Sequence, residues 1–170
     1  MSAAVTASQM DGDALSGFNK IGYQAAIVGG YPINEAHWIV VELQNSAFGS
    51  NKRNEDVGVS LEADLNSVNV LLAYSFRFGD SWDGVRKFRF MIGPKFNSIL
   101  KASGPNINDE VVKSSFWAGQ ATFSYMPGEA FMIDLSYTHA FQNILSEDVL
   151  EADSLVPYYL GLGLTYYIFK

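Results

Sequence analysis

Along most of the chain an apolar side chain falls at every second position, with a small or polar residue between. In the last segment, "YYLGLGLTYYIFK", one set is Tyr158, Leu160, Leu162, Leu164, Tyr166 and Ile168, and the other is Tyr159, Gly161, Gly163, Thr165 and Tyr167. A period of two is the mark of a β-strand with one greasy face. "FMIDLSYTHAFQN" repeats it, with Phe131, Ile133, Leu135, Tyr137 and Phe141 opposed by Met132, Asp134, Ser136, Thr138 and Gln142. So does "VNVLLAYSFRF", with Val68, Val70, Leu72, Tyr74, Phe76 and Phe78 against Asn69, Leu71, Ala73, Ser75 and Arg77. The pattern predicts about eight strands, near 3–10, 20–31, 37–49, 61–78, 85–99, 114–126, 130–144 and 156–169.

The connections alternate. Residues 32–36, 79–84 and 127–129 are short and built of turn formers, which makes them hairpins. The links near 11–19, 50–60, 100–113 and 145–155 are long and hold Asp11, Asp13, Glu55, Asp56, Asp109, Glu110, Glu147, Asp148, Glu151 and Asp153. An even-stranded antiparallel meander of this kind closes into a barrel with both ends on one side. The expected fold is an all-β, closed, eight-stranded, up-and-down transmembrane β-barrel, with 1–170 as a single domain.

A soluble barrel would carry a wet outer face dense in Lys and Glu. Here the non-apolar face is Gly, Ala, Ser, Thr, Asn and Gln with isolated charges of both signs, which suits the crowded interior of a narrow barrel. Glu42 and Asp134, with Arg77, Lys87, Arg89 and Lys95, are expected to form a luminal charge network, because buried charge is tolerated only when paired. Gln24 joins Glu42 inside, while Ile21, Tyr23, Ile27, Ile39 and Val41 face lipid. Aromatic residues gather near the short hairpins: Tyr31, Trp38, Phe76, Phe78, Phe88, Tyr125, Phe131, Tyr166 and Phe169. They are expected to form a girdle at one membrane interface.

Composition narrows the function. There is no run of about 18 apolar residues, so no helix spans a bilayer, and the start MSAAVTASQM lacks the basic and apolar regions of an export signal. A net charge of −7 without a basic stripe disfavours nucleic acid, and zero cysteines exclude thiolate chemistry and disulfides. "GLG" at 161–163 has no helix after it and is no phosphate loop. "DGD" at 11–13 and "NIND" at 106–109 lack the remaining ligands of a calcium loop, although loose binding of divalent cations by the acidic loops stays open. His139, near Ser136 and Ser146, is the single candidate for lipid chemistry. Ser136 and His139 differ by an odd number of positions and so face opposite sides of a strand. His37 reads as an exposed turn residue.

The stretches "ASQMDGDALSGFNKIGYQAAI" (7–27), "WIVVELQNSAFGS" (38–50), "LNSVNVLLAYSF" (65–76) and "IDLSYTHAFQNI" (133–144) resemble the PorT-like outer-membrane β-barrel domain family of Gram-negative bacteria. The resemblance implies an exported barrel of about eight strands without assigned activity, and one branch of that family is associated with an outer-membrane secretion machinery. The chain departs from the family pattern at Asn69, Leu71 and Ala140, where an acidic residue, proline and glycine are usual. The expectation is therefore a non-enzymatic barrel in the bacterial outer membrane with both termini periplasmic, its signal peptide absent from this chain. It needs no cofactor or metal. Its expected partners are outer-membrane lipid, lipopolysaccharide and other envelope proteins. A lipid-modifying enzyme and a soluble ligand-binding barrel are the rival readings.

Overall fold

The computed structural model describes residues 1–11, 18, 20–54, 59–80, 86–104, 107–109, 111–128, 130–145 and 155–167. Among these residues the strands are β1 (Ser2–Asp11), β2 (Lys20–Pro32), β3 (His37–Asn54), β4 (Val59–Asp80), β5 (Arg86–Gly104), β6 (Ile107–Asn108), β7 (Ser115–Tyr125), β8 (Phe131–Ala140) and β9 (Val156–Tyr166). Every pairing is antiparallel. β6 is a two-residue piece on the end of β5, and the other eight strands follow one another around a ring. The ring closes because β1 pairs with β9, from Ser2 opposite Thr165 to Asp11 opposite Val156. No sheet edge is left along that seam.

Turn chemistry explains the short connections. Asn34 Oδ1 accepts hydrogen bonds from the backbone N–H groups of Ala36 (2.9 Å) and His37 (3.0 Å), which folds 33–36 into a tight link. At the end of β4, Gly79 has φ of 76°, a left-handed conformation that suits glycine, and the ring of Phe88 lies where a Cβ would stand. Inside β5, a Cβ on Gly93 would lie 2.0 Å from the carbonyl oxygen of Leu72, so only glycine lets β4 and β5 approach this closely.

The strands agree closely with the alternation and differ from it at their ends, where β5, for one, runs on to Gly104 rather than 99. β3 and β4 run further into the link between them than the pattern indicates. β8 stops at Ala140 rather than 144. There, Asn143 Oδ1 accepts from the N–H groups of Leu145 and Leu155, both at 3.0 Å, and this bends the chain inward. Ile144 and Leu145 are buried as a result, and Leu145 bridges to Val112. Of the acidic loop residues, Asp13, Glu55, Asp56, Glu110, Glu147, Asp148, Glu151 and Asp153 lie outside the described residues, as do Ser146, Ile168 and Phe169.

The two faces separate cleanly. Ile21, Tyr23, Ile27, Ile39 and Val41 are exposed, and so are Val70, Leu72, Ile92, Leu135, Leu162 and Leu164. Gln24, Glu42, Gln44, Asn69, Arg89, Lys95, Gln120 and Asp134 are buried inside the ring. The barrel is thus inverted relative to a water-soluble protein: large apolar groups outside, hydrogen-bonded polar groups within.

Candidate functional site

The lumen is filled in layers. Toward the long-loop end an apolar layer packs Met10, Phe48, Leu65, Phe116, Ile144 and Tyr159. Phe48 stacks on Tyr159 at 5.4 Å between ring centroids, and Phe116 meets Phe48 edge-on at 6.1 Å. An eight-stranded barrel has an interior just wide enough for such side chains, so this layer blocks passage.

Next to it lies the polar layer. Lys95, fully buried on β5, donates to Tyr159 Oη at 2.5 Å and to Gln120 Oε1 at 3.2 Å, with its ammonium 5.0 Å from the centroid of the Tyr159 ring. Gln120 Oε1 also accepts from Thr138 (3.4 Å) and from Gln44 Nε2 (3.5 Å). Gln44 Nε2 donates in turn to Glu42 Oε2 at 2.6 Å. Beside this relay lies a direct ion pair: Arg89 Nη2 donates to Asp134 Oδ1 at 3.2 Å and to Ser124 Oγ at 3.0 Å, and Thr165 donates to Asp134 Oδ2 at 2.5 Å. Two buried carboxylates, Glu42 and Asp134, therefore face two buried cations, Arg89 and Lys95, and the layer is formally neutral. Glu42, Arg89 and Asp134 share a cavity of about 30 Å³ with Gln24, Gln120, Thr122, Ser136 and Thr165.

Arg77 and Lys87 do not join this cluster as the alternation led us to expect. Arg77 sits at the short-turn end with its guanidinium 4.7 Å from the ring of Trp38 and 5.8 Å from that of Tyr167, and it donates to Tyr167 Oη at 3.2 Å. Lys87 is half-buried near the same end, where its carbonyl accepts from the Met126 N–H. Arg77 is registered opposite Arg89, yet its guanidinium turns to Trp38 and Tyr167 rather than to Asp134. Trp38 also departs from expectation. It stands on the same face of β3 as Val40 and Glu42, and its ring packs on the luminal apolar group of Val40, Leu71, Ala73 and Met91. Strand parity, which outweighs closeness to a hairpin, turns this indole inward rather than into an outer girdle.

The other expected girdle members among the described residues face outward. Tyr31, Phe76, Tyr125, Phe131 and Tyr166 are exposed, and Phe78 and Phe88 are half-buried among their own neighbours. Phe76, Phe78, Phe88 and Tyr125 form a continuous run of rings, with centroids 5.6, 5.7 and 5.6 Å apart. A second outward band, which proximity to short hairpins does not reveal, lies toward the long loops: Phe96 with Trp117 at 5.2 Å, His139 with Tyr158 at 6.0 Å, and Phe18 with Tyr158 at 5.5 Å. The signal for it is a repeated interval: 88 and 96 on β5, 117 and 125 on β7, 131 and 139 on β8, 158 and 166 on β9 are each eight positions apart. Eight steps of about 3.3 Å at a tilt of about 40° separate the bands by roughly 20 Å, near the height of an outer-membrane apolar belt.

His139 lies in that outer band, whereas Ser136 points into the lumen and donates to the Gly161 carbonyl oxygen at 3.5 Å. The two do not converge. His37 pairs with the Tyr74 hydroxyl and its ring lies 5.0 Å from that of Phe76. Asp109 Oδ1 accepts from the Ala102 N–H at 2.6 Å, an internal loop contact. Among the described residues no group of three or more His, Cys, Asp or Glu is arranged to hold a metal ion. Among the same residues no helix is long and apolar enough to cross a membrane.

Closed ring, apolar exterior and polar filled lumen together define a transmembrane β-barrel of the eight-stranded outer-membrane class. Comparison with solved structures gives the same architecture. The crystal structure of Ail, the attachment invasion locus protein of Yersinia pestis, superimposes with a TM-score of 0.55 at 16% sequence identity, covering 97% of this chain and 94% of that one. Ail in complex with the heparin analogue sucrose octasulfate gives 0.55 at 17%, with the same coverage. The outer-membrane protein OprG from Pseudomonas aeruginosa aligns at 12% identity over 97% and 91% of the two chains, with a TM-score of 0.39. At these identities the likeness to Ail is one of fold. No family model matches the chain, and no curated protein matches it.

Proposed function

We propose that the protein resides in the bacterial outer membrane as a non-enzymatic barrel that anchors and displays its long acidic loops, with its short turns and both termini periplasmic. The observation that carries this reading is the apolar exterior bounded by two aromatic bands about eight residues apart. That surface would aggregate in water and is stable against acyl chains. The filled lumen argues against a diffusion pore, since an apolar layer and a layer of hydrogen-bonded charges lie one above the other across it.

The partners that fit are outer-membrane lipid, lipopolysaccharide around the rim, and other envelope proteins at the loops. Resemblance to the PorT-like proteins favours a structural or accessory part in an envelope or secretion complex. Ail has been crystallised with a sulfated sugar, but a chain of net charge −7 is poorly suited to a polyanion, so its loops are better matched to basic protein surfaces or to divalent cations. The separation of Ser136 from His139 weighs against a lipid-modifying enzyme.

Electrophoresis of boiled and unboiled samples tests the membrane reading. A heat-dependent shift together with a requirement for detergent is expected; a monodisperse monomer without detergent would overturn it. Capture of envelope proteins from native membranes, lost when the long loops are replaced by short turns, tests the display role.

A further inference from the structure

We infer that the cavity beside Glu42 is a binding site for a buried water molecule, which joins Glu42 to Arg89 as a water-mediated counterpart of the direct Arg89–Asp134 pair. Glu42 is 5% exposed and makes one hydrogen bond among the described residues, to Gln44, with no cation within ion-pair distance. A carboxylate held this far from water without a contacting cation is costly unless other donors reach it. Arg89 lies on the wall of the same cavity, already engaged by Asp134 and Ser124. Independently, the Gln24 amide lines the cavity, is 7% exposed, and has a buried Oε1 without a hydrogen-bond partner.

The size and chemistry select the occupant. A volume of about 30 Å³ suits one or two waters. The buried charges already sum to zero. A cation would leave the layer positive beside Arg89, and an anion would meet two carboxylates. Water is neutral, donates to Glu42, accepts from Arg89 and has the Gln24 amide, Thr122 and Ser136 for its remaining bonds, within the two to four partners a buried water needs.

The full chain, refolded in detergent, is crystallised with and without thallous ion as a cation probe. The expected result is a solvent peak within hydrogen-bond distance of Glu42 and Arg89 and no anomalous thallium peak there. A thallium peak, or a direct Glu42–Arg89 contact with nothing between, overturns the inference. As a second measurement, oxygen-17 relaxation dispersion counts long-lived internal waters in the native chain and in Ala4→Val, whose added methyl groups fill the cavity wall. Loss of one or two waters in a variant that keeps the native heat-dependent mobility supports the site, and an unchanged count overturns it.

Discussion

Lys95 and Tyr159 are bound twice over: the ammonium donates to the phenol oxygen at 2.5 Å while resting 5.0 Å from the centre of the same ring. The pair ties β5 to β9 across the lumen, directly beneath the apolar layer to which Tyr159 also belongs. Removing the oxygen in Tyr159→Phe leaves a fully buried ammonium with one acceptor fewer. The expected loss is about 2 kcal/mol, measured by urea unfolding in lipid vesicles. Lys95→Met removes a cation that balances the buried carboxylates, together with the donor to Gln120 and Tyr159, and is expected to cost more, about 3–5 kcal/mol. Equal losses in the two variants would contradict the argument.

Arg89 and Asp134 allow a sharper version of that test. Asp134→Leu leaves the Arg89 guanidinium buried without its contacting carboxylate, and about 3–5 kcal/mol should be lost. The double variant Arg89→Met with Asp134→Leu should recover most of it, because the desolvation cost disappears with both charges. A double-mutant cycle in which the two losses simply add would show that the residues act separately.

Depth along the exterior is testable by charge. Leu162 lies midway between the bands on β9, and Tyr166 lies in the short-turn band. Leu162→Arg should cost about 2–4 kcal/mol in vesicles, and Tyr166→Arg about 0–1 kcal/mol. Similar costs at the two positions would remove the case for a membrane belt.

The tryptophans report sidedness. In single-tryptophan variants, Trp117, which is half exposed on the outer face of β7, should be quenched strongly by brominated lipid. Trp38, under Arg77 in the lumen, should be quenched weakly. Reversed quenching would place the indoles on the wrong faces.

Strand number, order and facing were legible in the sequence because period-two alternation depends on one physical fact, that successive side chains point to opposite sides. Glu42, Arg89, Lys95 and Asp134 could be assigned to the interior on that ground alone. Which charge meets which could not. Register and strand tilt decide whether Arg77 reaches Asp134 or stops among Trp38 and Tyr167, and alternation is blind to both. Trp38 was drawn to the girdle by its nearness to a hairpin, although its parity with Glu42 already pointed inward. The inward bend at Asn143 depends on a single side chain capturing two N–H groups, one of them 12 positions away, and no local pattern reports such a contact.

Because β1 is hydrogen-bonded to β9, the ladder from Ser2 opposite Thr165 to Asp11 opposite Val156 joins the two most distant parts of the described chain. Loop-closure entropy makes contacts of this kind the last and slowest to form. Until they do, two unpaired strand edges stand open inside or beside a bilayer that offers them no hydrogen bonds. Assembly is therefore expected to be limited by the docking of β9 against β1, and a lesion in "YYLGLGLTY" should strand the chain as a late, unclosed intermediate rather than as a loosened native barrel.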